Sequence, residues 1–133
     1  MHITLEADYA VRIVYCLAVN QKRMDAKHIA ETTGVTLRFS LKILRKLVGA
    51  GLLKSFKGTQ GGYEIAKPLE DMSLNDVIET IQGPYSLNKC SESDFVCTRF
   101  KEKPCQFQKV YTDISSEVTT RLQAAKFSEL IKD

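Results

Sequence analysis

The chain has 133 residues, of which 44% are apolar and 26% are charged. This length allows one hydrophobic core of ordinary size and is too short for two well-buried domains. The longest apolar stretch, residues 10–19, is interrupted by Arg12 and is shorter than the roughly 20 residues of a membrane-spanning helix. The sequence starts without the basic segment and cleavage site of a secretory signal. We therefore expect a soluble, cytoplasmic protein with no membrane partner.

The net charge of +3 is unevenly distributed along the chain. Between Thr32 and Tyr63 the sequence contains six basic residues and no Asp or Glu, while the rest of the chain is slightly acidic. Such a basic segment is typical of a surface that binds a polyanion, because phosphate contacts require clustered Lys and Arg. A solvated basic face has the same composition, so charge alone leaves both interpretations open.

Capping residues and apolar periodicity predict three helices before residue 50. Thr4 caps a helix that runs to about residue 20, and Asp25 caps a second helix at residues 26–32. Gly34 ends the second helix, and a third covers residues 37–48. The third helix carries basic side chains beside an apolar stripe of Leu37, Leu41, Leu44, Leu47 and Val48. A short helix, a glycine turn and a basic amphipathic helix are typical of a helix-turn-helix.

The next segment predicts a β-hairpin, with strands at residues 52–57 and 63–66 joined by a glycine-rich turn. A hairpin directly after a helix-turn-helix is the winged-helix arrangement. In that arrangement one helix enters the major groove of DNA and the hairpin lies along the phosphate backbone. The predicted DNA-binding residues are Thr36, Arg38, Ser40, Lys42, Arg45, Lys54, Lys57, Thr59 and Gln60.

The second half of the chain predicts two further helices and a loop between them. Ser73 caps a fourth helix that Gly83 and Pro84 end. After Pro104, apolar residues recur at threes and fours, which predicts a long helix with one apolar stripe that pairs with a second copy of itself. We therefore expect a mainly α fold with a small β-hairpin. Its parts are a winged helix-turn-helix domain (1–84), a cysteine-bearing loop (85–104) and a dimerisation helix with a C-terminal segment (105–133).

Three cysteines, Cys90, Cys97 and Cys105, lie in or beside the loop. Reducing conditions inside a cell favour metal binding or redox chemistry over structural disulfides. Cys105 begins the predicted long helix, and a helix N-terminus favours the metal-binding thiolate form. The spacing differs from the close pairs of structural zinc sites, and three thiolates leave a cluster one ligand short. A metal or cluster site, ordinary thiols and a redox disulfide all remain open. Cys16, inside an apolar helix, is expected to be a packing residue.

The order of elements resembles the bacterial winged-helix transcriptional regulator family that includes IscR, NsrR and CymR. Residues 3–10, 49–53 and 57–63 and the three cysteines carry the resemblance, which covers nearly the whole chain. It implies a homodimer on double-stranded DNA with a palindromic operator. It also implies an iron–sulfur cluster on Cys90, Cys97 and Cys105, either 4Fe–4S or 2Fe–2S, with 4Fe–4S favoured.

The fourth cluster ligand is also suggested by this resemblance. In NsrR-like members an Asp near the N-terminus of the other subunit completes the cluster, and Asp8 stands at the matching position. The histidine of IscR-like members, three residues after the last cysteine, is replaced here by Gln108. We expect Asp8 as the ligand, with Glu6 and Gln108 as alternatives. A carboxylate that only stabilises the start of a helix is the other interpretation of Asp8.

The predicted function is that of a dimeric repressor whose cluster responds to nitric oxide, oxygen, iron supply or redox state. The alternative is a cluster-free repressor of the same fold that responds through thiol oxidation. An iron–sulfur electron carrier is disfavoured by the basic segment. No enzyme is expected, because the sequence shows neither a nucleophile–base constellation nor a cofactor fingerprint.

Overall fold

The computed structural model describes residues 2–88 and 105–132. Its elements follow the predicted order, so the expected mainly α fold with a small β-hairpin is confirmed. In chain order they are α1 (Leu5–Asn20), α2 (Ala26–Thr33), α3 (Leu37–Gly49), β1 (Leu53–Phe56), β2 (Gly62–Ile65), a 3-10 turn (Leu69–Asp71), α4 (Leu74–Gln82), α5 (Gln106–Ala124) and α6 (Phe127–Leu130). Within the described ranges, none of the helices is long and apolar enough to span a bilayer.

Side-chain caps fix the starts of the first four helices. The N–H of the third residue of α1 donates to the hydroxyl of Thr4 at 3.1 Å, and the corresponding N–H in α2 donates to the Asp25 carboxylate at 2.7 Å. Thr36 caps α3 in the same way, and Ser73 forms a reciprocal capping box with Asp76 at the start of α4. Each cap satisfies backbone donors that the helix itself leaves unpaired.

The core lies between α1, α3, α4 and the hairpin. Helix α1 packs against α2 and α4, and α3 packs against α2 and β1. The largest fully buried side chains include Ile13, Leu17, Ile29, Ile43, Leu44, Leu47, Leu53, Met72, Val77 and Phe127. Removing this apolar surface from water is the dominant stabilising contribution to such a fold.

The exposed faces of α3 differ from the predicted stripe. Leu44 and Leu47 are buried as expected, but Leu37 and Leu41 are 45% and 40% exposed. The helix is rotated so that Ser40 and Ile43 face the core instead. Apolar periodicity identified the amphipathic helix, whereas tertiary packing determined which of its apolar residues are buried.

The hairpin is held against the chain between α1 and α2. Strands β1 and β2 pair antiparallel, with Leu53 opposite Ile65. Backbone hydrogen bonds of 3.0 and 2.8 Å join Met24 and Tyr63 in both directions. At Gly62, where φ is 143°, a Cβ atom would lie 2.6 Å from the carbonyl oxygen of Met24. Only glycine fits this close backbone approach, which holds the start of β2, next to the turn, against the segment between α1 and α2.

The segment after α5 returns to the core, which the sequence analysis did not anticipate. Phe127 is only 1% exposed, and its N–H donates to the carbonyl of Met72 at 2.9 Å. A β-bridge joins Ser73 to Lys126 just before α4. The C-terminal part of the predicted unit 105–133 thus completes the core of the predicted unit 1–84. The boundaries of the three units otherwise stay a prediction.

Candidate DNA interface and cysteine site

The helix-turn-helix is closed by hydrogen bonds around one glycine. Gly34 adopts a left-handed conformation with φ of 77°, and its N–H donates to the carbonyl of Ala30 at 2.9 Å. The Thr33 hydroxyl donates to the Ile29 carbonyl at 2.7 Å, and the N–H of Val35 donates back to that hydroxyl at 3.4 Å. These bonds hold the end of α2 and fix the direction in which α3 starts.

Ser40 lies on the inner face of α3. Its side chain is fully buried, and its hydroxyl donates to the carbonyl of Val35 at 3.4 Å. This bond ties α3 to the turn and points the hydroxyl away from solvent. We therefore leave Ser40 out of the proposed DNA surface, although its position in the sequence suggested a contact.

The other predicted DNA-binding residues are all exposed. They lie at the start of α3 and along its outer face, on β1, and in the turn of the hairpin: Thr36, Arg38, Lys42, Arg45, Lys54, Lys57, Thr59 and Gln60. Long exposed cations on a helix and a neighbouring hairpin can reach phosphate oxygens without first losing buried contacts.

Glu6, one of the two alternative cluster ligands, forms ion pairs with side chains of α3. Its Oε1 lies 2.8 Å from Nζ of Lys46 and 3.8 Å from Nζ of Lys42. The Glu6 carboxylate on α1 therefore neutralises part of the positive charge of α3. The residues are about 40 positions apart in sequence, so no local signal could reveal this pairing. These contacts also make Glu6 a weaker candidate than Asp8 for a cluster ligand.

Asp8 lies on the exposed side of α1 and is connected to the end of α2. Nη2 of Arg12 donates to Oδ2 of Asp8 at 3.2 Å, and Nη1 of the same guanidinium donates to the carbonyl of Thr33 at 3.2 Å. Arg12 also lies over the ring of Tyr9, 5.2 Å from its centroid. One side chain thus joins the predicted cluster ligand to the last residue of α2 before the turn.

Two of the three predicted cluster cysteines, Cys90 and Cys97, lie outside the described residues. Cys105 is half-buried at the N-cap of α5 and forms no disulfide with any described residue. Gln108 lies half-buried one turn further along. Across residues 2–88 and 105–132, no three His, Cys, Asp or Glu side chains are grouped so that they could hold a metal ion. The predicted ligand set therefore remains a prediction.

Cys16 is in a different environment from Cys105. It lies on α1, half-buried, with its Sγ 3.8 Å from Sδ of Met24. Burial raises the pKa of the Cys16 thiol, because desolvation disfavours the thiolate. A thiol held in its protonated form is a poor nucleophile and a poor metal ligand. This environment agrees with the expectation that Cys16 is a packing residue.

Helix α5 has an apolar stripe that its own chain leaves exposed. Of its residues, all of which the structure describes, only Ser115 is buried. The Ser115 hydroxyl accepts a hydrogen bond from the N–H of Leu87 at 2.9 Å. The exposed apolar residues of the helix are Phe107, Val110, Tyr111 and Ile114. An exposed apolar stripe of this kind is a candidate interaction surface.

The helix-turn-helix, the paired hairpin and the exposed basic side chains together define a winged-helix transcriptional regulator. The family model Rrf2, described as iron-dependent transcriptional regulator, matches residues 3–133. The chain therefore belongs to the Rrf2 family. This confirms the resemblance found in the sequence, because the relatives include proteins named IscR and CymR. These relatives are transcriptional regulators, in agreement with the expectation of a non-enzymatic protein.

Three curated relatives illustrate the range of similarity. Protein aau3 of Rhizobium meliloti is 33% identical over 94 residues, which cover 70% of this chain and 61% of that protein. Protein rrf2 of Nitratidesulfovibrio vulgaris is 24% identical, and the match covers 100% of this chain and 89% of the relative. IscR of Vibrio atlanticus is 26% identical, and the match covers 100% of this chain and 76% of that relative.

Solved structures share the fold of this chain. The structure of T. potens IscR matches with a TM-score of 0.79 at 22% identity and covers 100% of this chain and 88% of the other. The structure of CymR from B. subtilis matches with a TM-score of 0.80 at 21% identity, and the match covers 100% of this chain and 99% of the other. At these identities the likeness establishes the fold alone.

Proposed function

We propose that the protein is a homodimeric repressor that binds a palindromic operator through α3 and the hairpin, under the control of an iron–sulfur cluster. The observation that carries this proposal is the connection from Asp8 through Arg12 to Thr33. It links a solvent-facing carboxylate, predicted to ligate the cluster, with the turn that orients α3. The two contacts of Arg12 are both 3.2 Å long.

DNA recognition is assigned to the exposed face of α3 and to the hairpin. Arg38 and Lys42 lie on the outer face of α3, and Lys54 and Lys57 lie on or beside β1. A helix in this position reads base edges in the major groove, while basic residues on a hairpin bind phosphates. Family membership supports the assignment, since transcriptional regulators act on DNA.

The dimer is assigned to the apolar stripe of α5. Phe107, Val110, Tyr111 and Ile114 recur at intervals of three and four, so they share one helix face. A second copy of α5 could cover this stripe, as in other two-fold symmetric interfaces. A dimer presents two copies of α3, and two symmetric reading helices require a palindromic operator.

The cluster is assigned to Cys90, Cys97 and Cys105 of one subunit and to Asp8 of the other. Thiolates are the standard ligands of iron–sulfur clusters, and the exposed Asp8 carboxylate can supply a hard oxygen donor to a partner subunit. Of the two cluster types, 4Fe–4S and 2Fe–2S, we favour 4Fe–4S. A bound cluster would supply a redox-active and oxygen- or nitric-oxide-sensitive iron, which can respond to those signals or to iron supply.

Control of DNA binding is assigned to the residues around Asp8. When Asp8 serves as a ligand, its carboxylate is held in place and Arg12 is oriented by it. Arg12 in turn holds the carbonyl of Thr33, and with it the end of α2. Loss of the ligand role frees Asp8 and Arg12 to move together. The spacing of the two α3 helices in the dimer then changes, which is the two-state element that a regulatory switch needs.

The direct test is the visible absorption spectrum of the protein prepared without air. We expect a coloured protein, because thiolate-bound iron–sulfur clusters absorb visible light. Replacing Cys90, Cys97 or Cys105 by Ala should remove the colour, whereas Cys16→Ala, the matched control, should keep it. A protein that stays colourless after anaerobic reconstitution with iron and sulfide would contradict the cluster and favour the cluster-free repressor switched by thiol oxidation.

A second test separates the ligand role of Asp8 from its ion pair. Asp8→Ala removes both, while Arg12→Ala removes the ion pair and leaves the carboxylate. We expect Asp8→Ala to alter the spectrum and make the cluster more labile. Arg12→Ala should keep the spectrum and lose the effect of the cluster on operator affinity. An unaltered cluster in the Asp8→Ala dimer would exclude Asp8 and favour Glu6 or Gln108.

A further inference from the structure

We infer that Arg23 is a positioning residue for DNA binding, which clamps the hairpin in the orientation that the proposed operator contacts require. This inference rests on the proposed DNA-binding role of the hairpin. Arg23 lies between α1 and α2, outside the basic segment that the sequence analysis assigned to DNA. Its guanidinium contacts β1, the turn and β2 of the hairpin.

The first contact is a stacking interaction with the end of β1. Cζ of Arg23 lies 3.3 Å from the centroid of the Phe56 ring. A planar guanidinium at this distance packs against the aromatic face and gains both dispersion and cation–π attraction. Phe56 is the last residue of β1, so this contact fixes the point where the chain enters the turn.

The other two contacts involve the turn and β2. Nη1 of Arg23 donates to the carbonyl of Gln60 at 3.1 Å, and Nε lies 3.5 Å from Oε2 of Glu64. The carboxylate of Glu64 compensates the charge of the guanidinium. Arg23 therefore offers little uncompensated charge to a phosphate, and its contribution to DNA binding is geometric.

The Arg23 clamp and the backbone bridge act on neighbouring residues at the turn end of the hairpin. The Met24–Tyr63 bridge holds the start of β2, where Gly62, paired with Phe56, approaches the backbone of Met24. Arg23 holds the turn, which carries the predicted contacts Thr59 and Gln60 and follows Lys57. A turn that is already ordered in the free protein loses less conformational freedom when DNA binds. The smaller entropy loss raises affinity without adding a contact.

Lysine cannot make the same set of contacts. Its ammonium is a single point charge that cannot stack on Phe56 while bonding to Gln60 and Glu64 in separate directions. Arg23→Lys should therefore behave much like Arg23→Ala. A residue that acted on DNA only through its charge would instead be rescued by lysine.

The experiment compares Arg23→Ala and Arg23→Lys with Lys22→Ala, which removes the same formal charge from the adjacent exposed residue. The DNA probe is a duplex that the wild-type protein selects from a random-sequence pool. We expect both Arg23 variants to weaken its binding about 3- to 10-fold through lost preorganisation, with the salt dependence of binding unchanged. Amide hydrogen exchange at residues 57–62 of the DNA-free protein should accelerate about tenfold in the Arg23 variants. Lys22→Ala should leave this exchange rate unchanged.

Distinct outcomes would overturn the inference. Unchanged hydrogen exchange in Arg23→Ala would show that the clamp does not order the turn. Faster exchange with unaltered affinity would show that turn order is irrelevant to binding, while leaving the proposed DNA-binding function intact. A reduced salt slope in Arg23→Ala, with rescue by Arg23→Lys, would make Arg23 a phosphate contact. A wild-type protein that selects no DNA would overturn the proposed function and the positioning role with it, and hydrogen exchange would still report on the clamp itself.

Discussion

Helices α3 and α5 are both amphipathic, but the apolar face of α3 is buried in its own chain and that of α5 is exposed. In α3, which has 13 residues, Ile43, Leu44 and Leu47 are packed into the core of their own chain. In α5, which has 19 residues, only Ser115 is buried. An apolar face that is already covered stabilises the fold of one chain. The exposed face of α5 has the same chemistry and is therefore available for a partner.

The outward faces of the two helices indicate different partners. On α3 that face carries Arg38, Lys42 and Arg45, which suits a polyanion. On α5 it carries Val110 and Ile114 among other apolar residues, which suits another apolar surface. The proposed DNA interface thus forms mainly by electrostatic attraction, and the proposed dimer interface mainly by the hydrophobic effect. Salt should weaken the first strongly and the second much less.

The largest expected effect tests the buried face of α3. Leu44→Ala should lower the free energy of unfolding by about 2–5 kcal/mol, because it leaves a cavity in a packed core. Leu41→Ala on the same helix should cost about 1 kcal/mol or less, since Leu41 is 40% exposed and lies outside the buried core. Urea unfolding of the two variants measures the difference. Equal losses would mean that Leu41 is covered in the assembled protein.

The second prediction tests the exposed face of α5. Ile114→Glu should raise the dissociation constant of the dimer by about 100-fold, since burying an unpaired carboxylate costs several kcal/mol. The helix content should be unchanged, because Ile114 is not part of the core of its own chain. Thr112→Glu adds the same charge on the other side of α5 and is the control. Sedimentation velocity distinguishes monomer from dimer, and an unaffected Ile114→Glu dimer would place the interface elsewhere.

The smallest expected effect distinguishes two adjacent cations of α3. Arg45→Ala should reduce the slope of log affinity against log salt concentration by about 0.9, as expected for one lost phosphate contact. Lys46→Ala should change the slope much less, because its Nζ lies 2.8 Å from the carboxylate of Glu6. The slope is measured by titrating the selected duplex at several salt concentrations. Equal changes would indicate that DNA displaces Glu6 from Lys46.

The elements of the fold were predictable because their signals are local. Thr4, Asp25, Thr36 and Ser73 each cap the helix that follows them within three residues, and glycine positions marked the turns. The hairpin followed from two short apolar runs around Gly58, Gly61 and Gly62. Strand and helix ends differ from the predicted ones by one or two residues, which is the usual uncertainty of such boundaries.

What the sequence did not reveal depends on contacts between distant residues. Phe127 is held in the core by the β-bridge between Ser73 and Lys126, just before α4. Glu6 on α1 pairs with Lys46 on α3, which is 40 positions away in sequence. Arg23 reaches the hairpin over 37 positions in sequence. The sequence suggested that Ser40 contacts DNA, whereas in the structure its hydroxyl donates to the buried carbonyl of Val35. Tertiary packing decides each of these cases.

The return of Phe127 to the core also sets the order of events during synthesis. Chains emerge from the ribosome from the N-terminus onward, at about 5–20 residues per second, and early segments normally fold first. Here Phe127, which is buried in the core and bonded to the carbonyl of Met72, can take its place only after α5 has been made. The DNA-binding part of a nascent chain therefore cannot close its core before the helix proposed for dimerisation exists. A growing chain would reach its DNA-binding conformation only when it is also ready to pair.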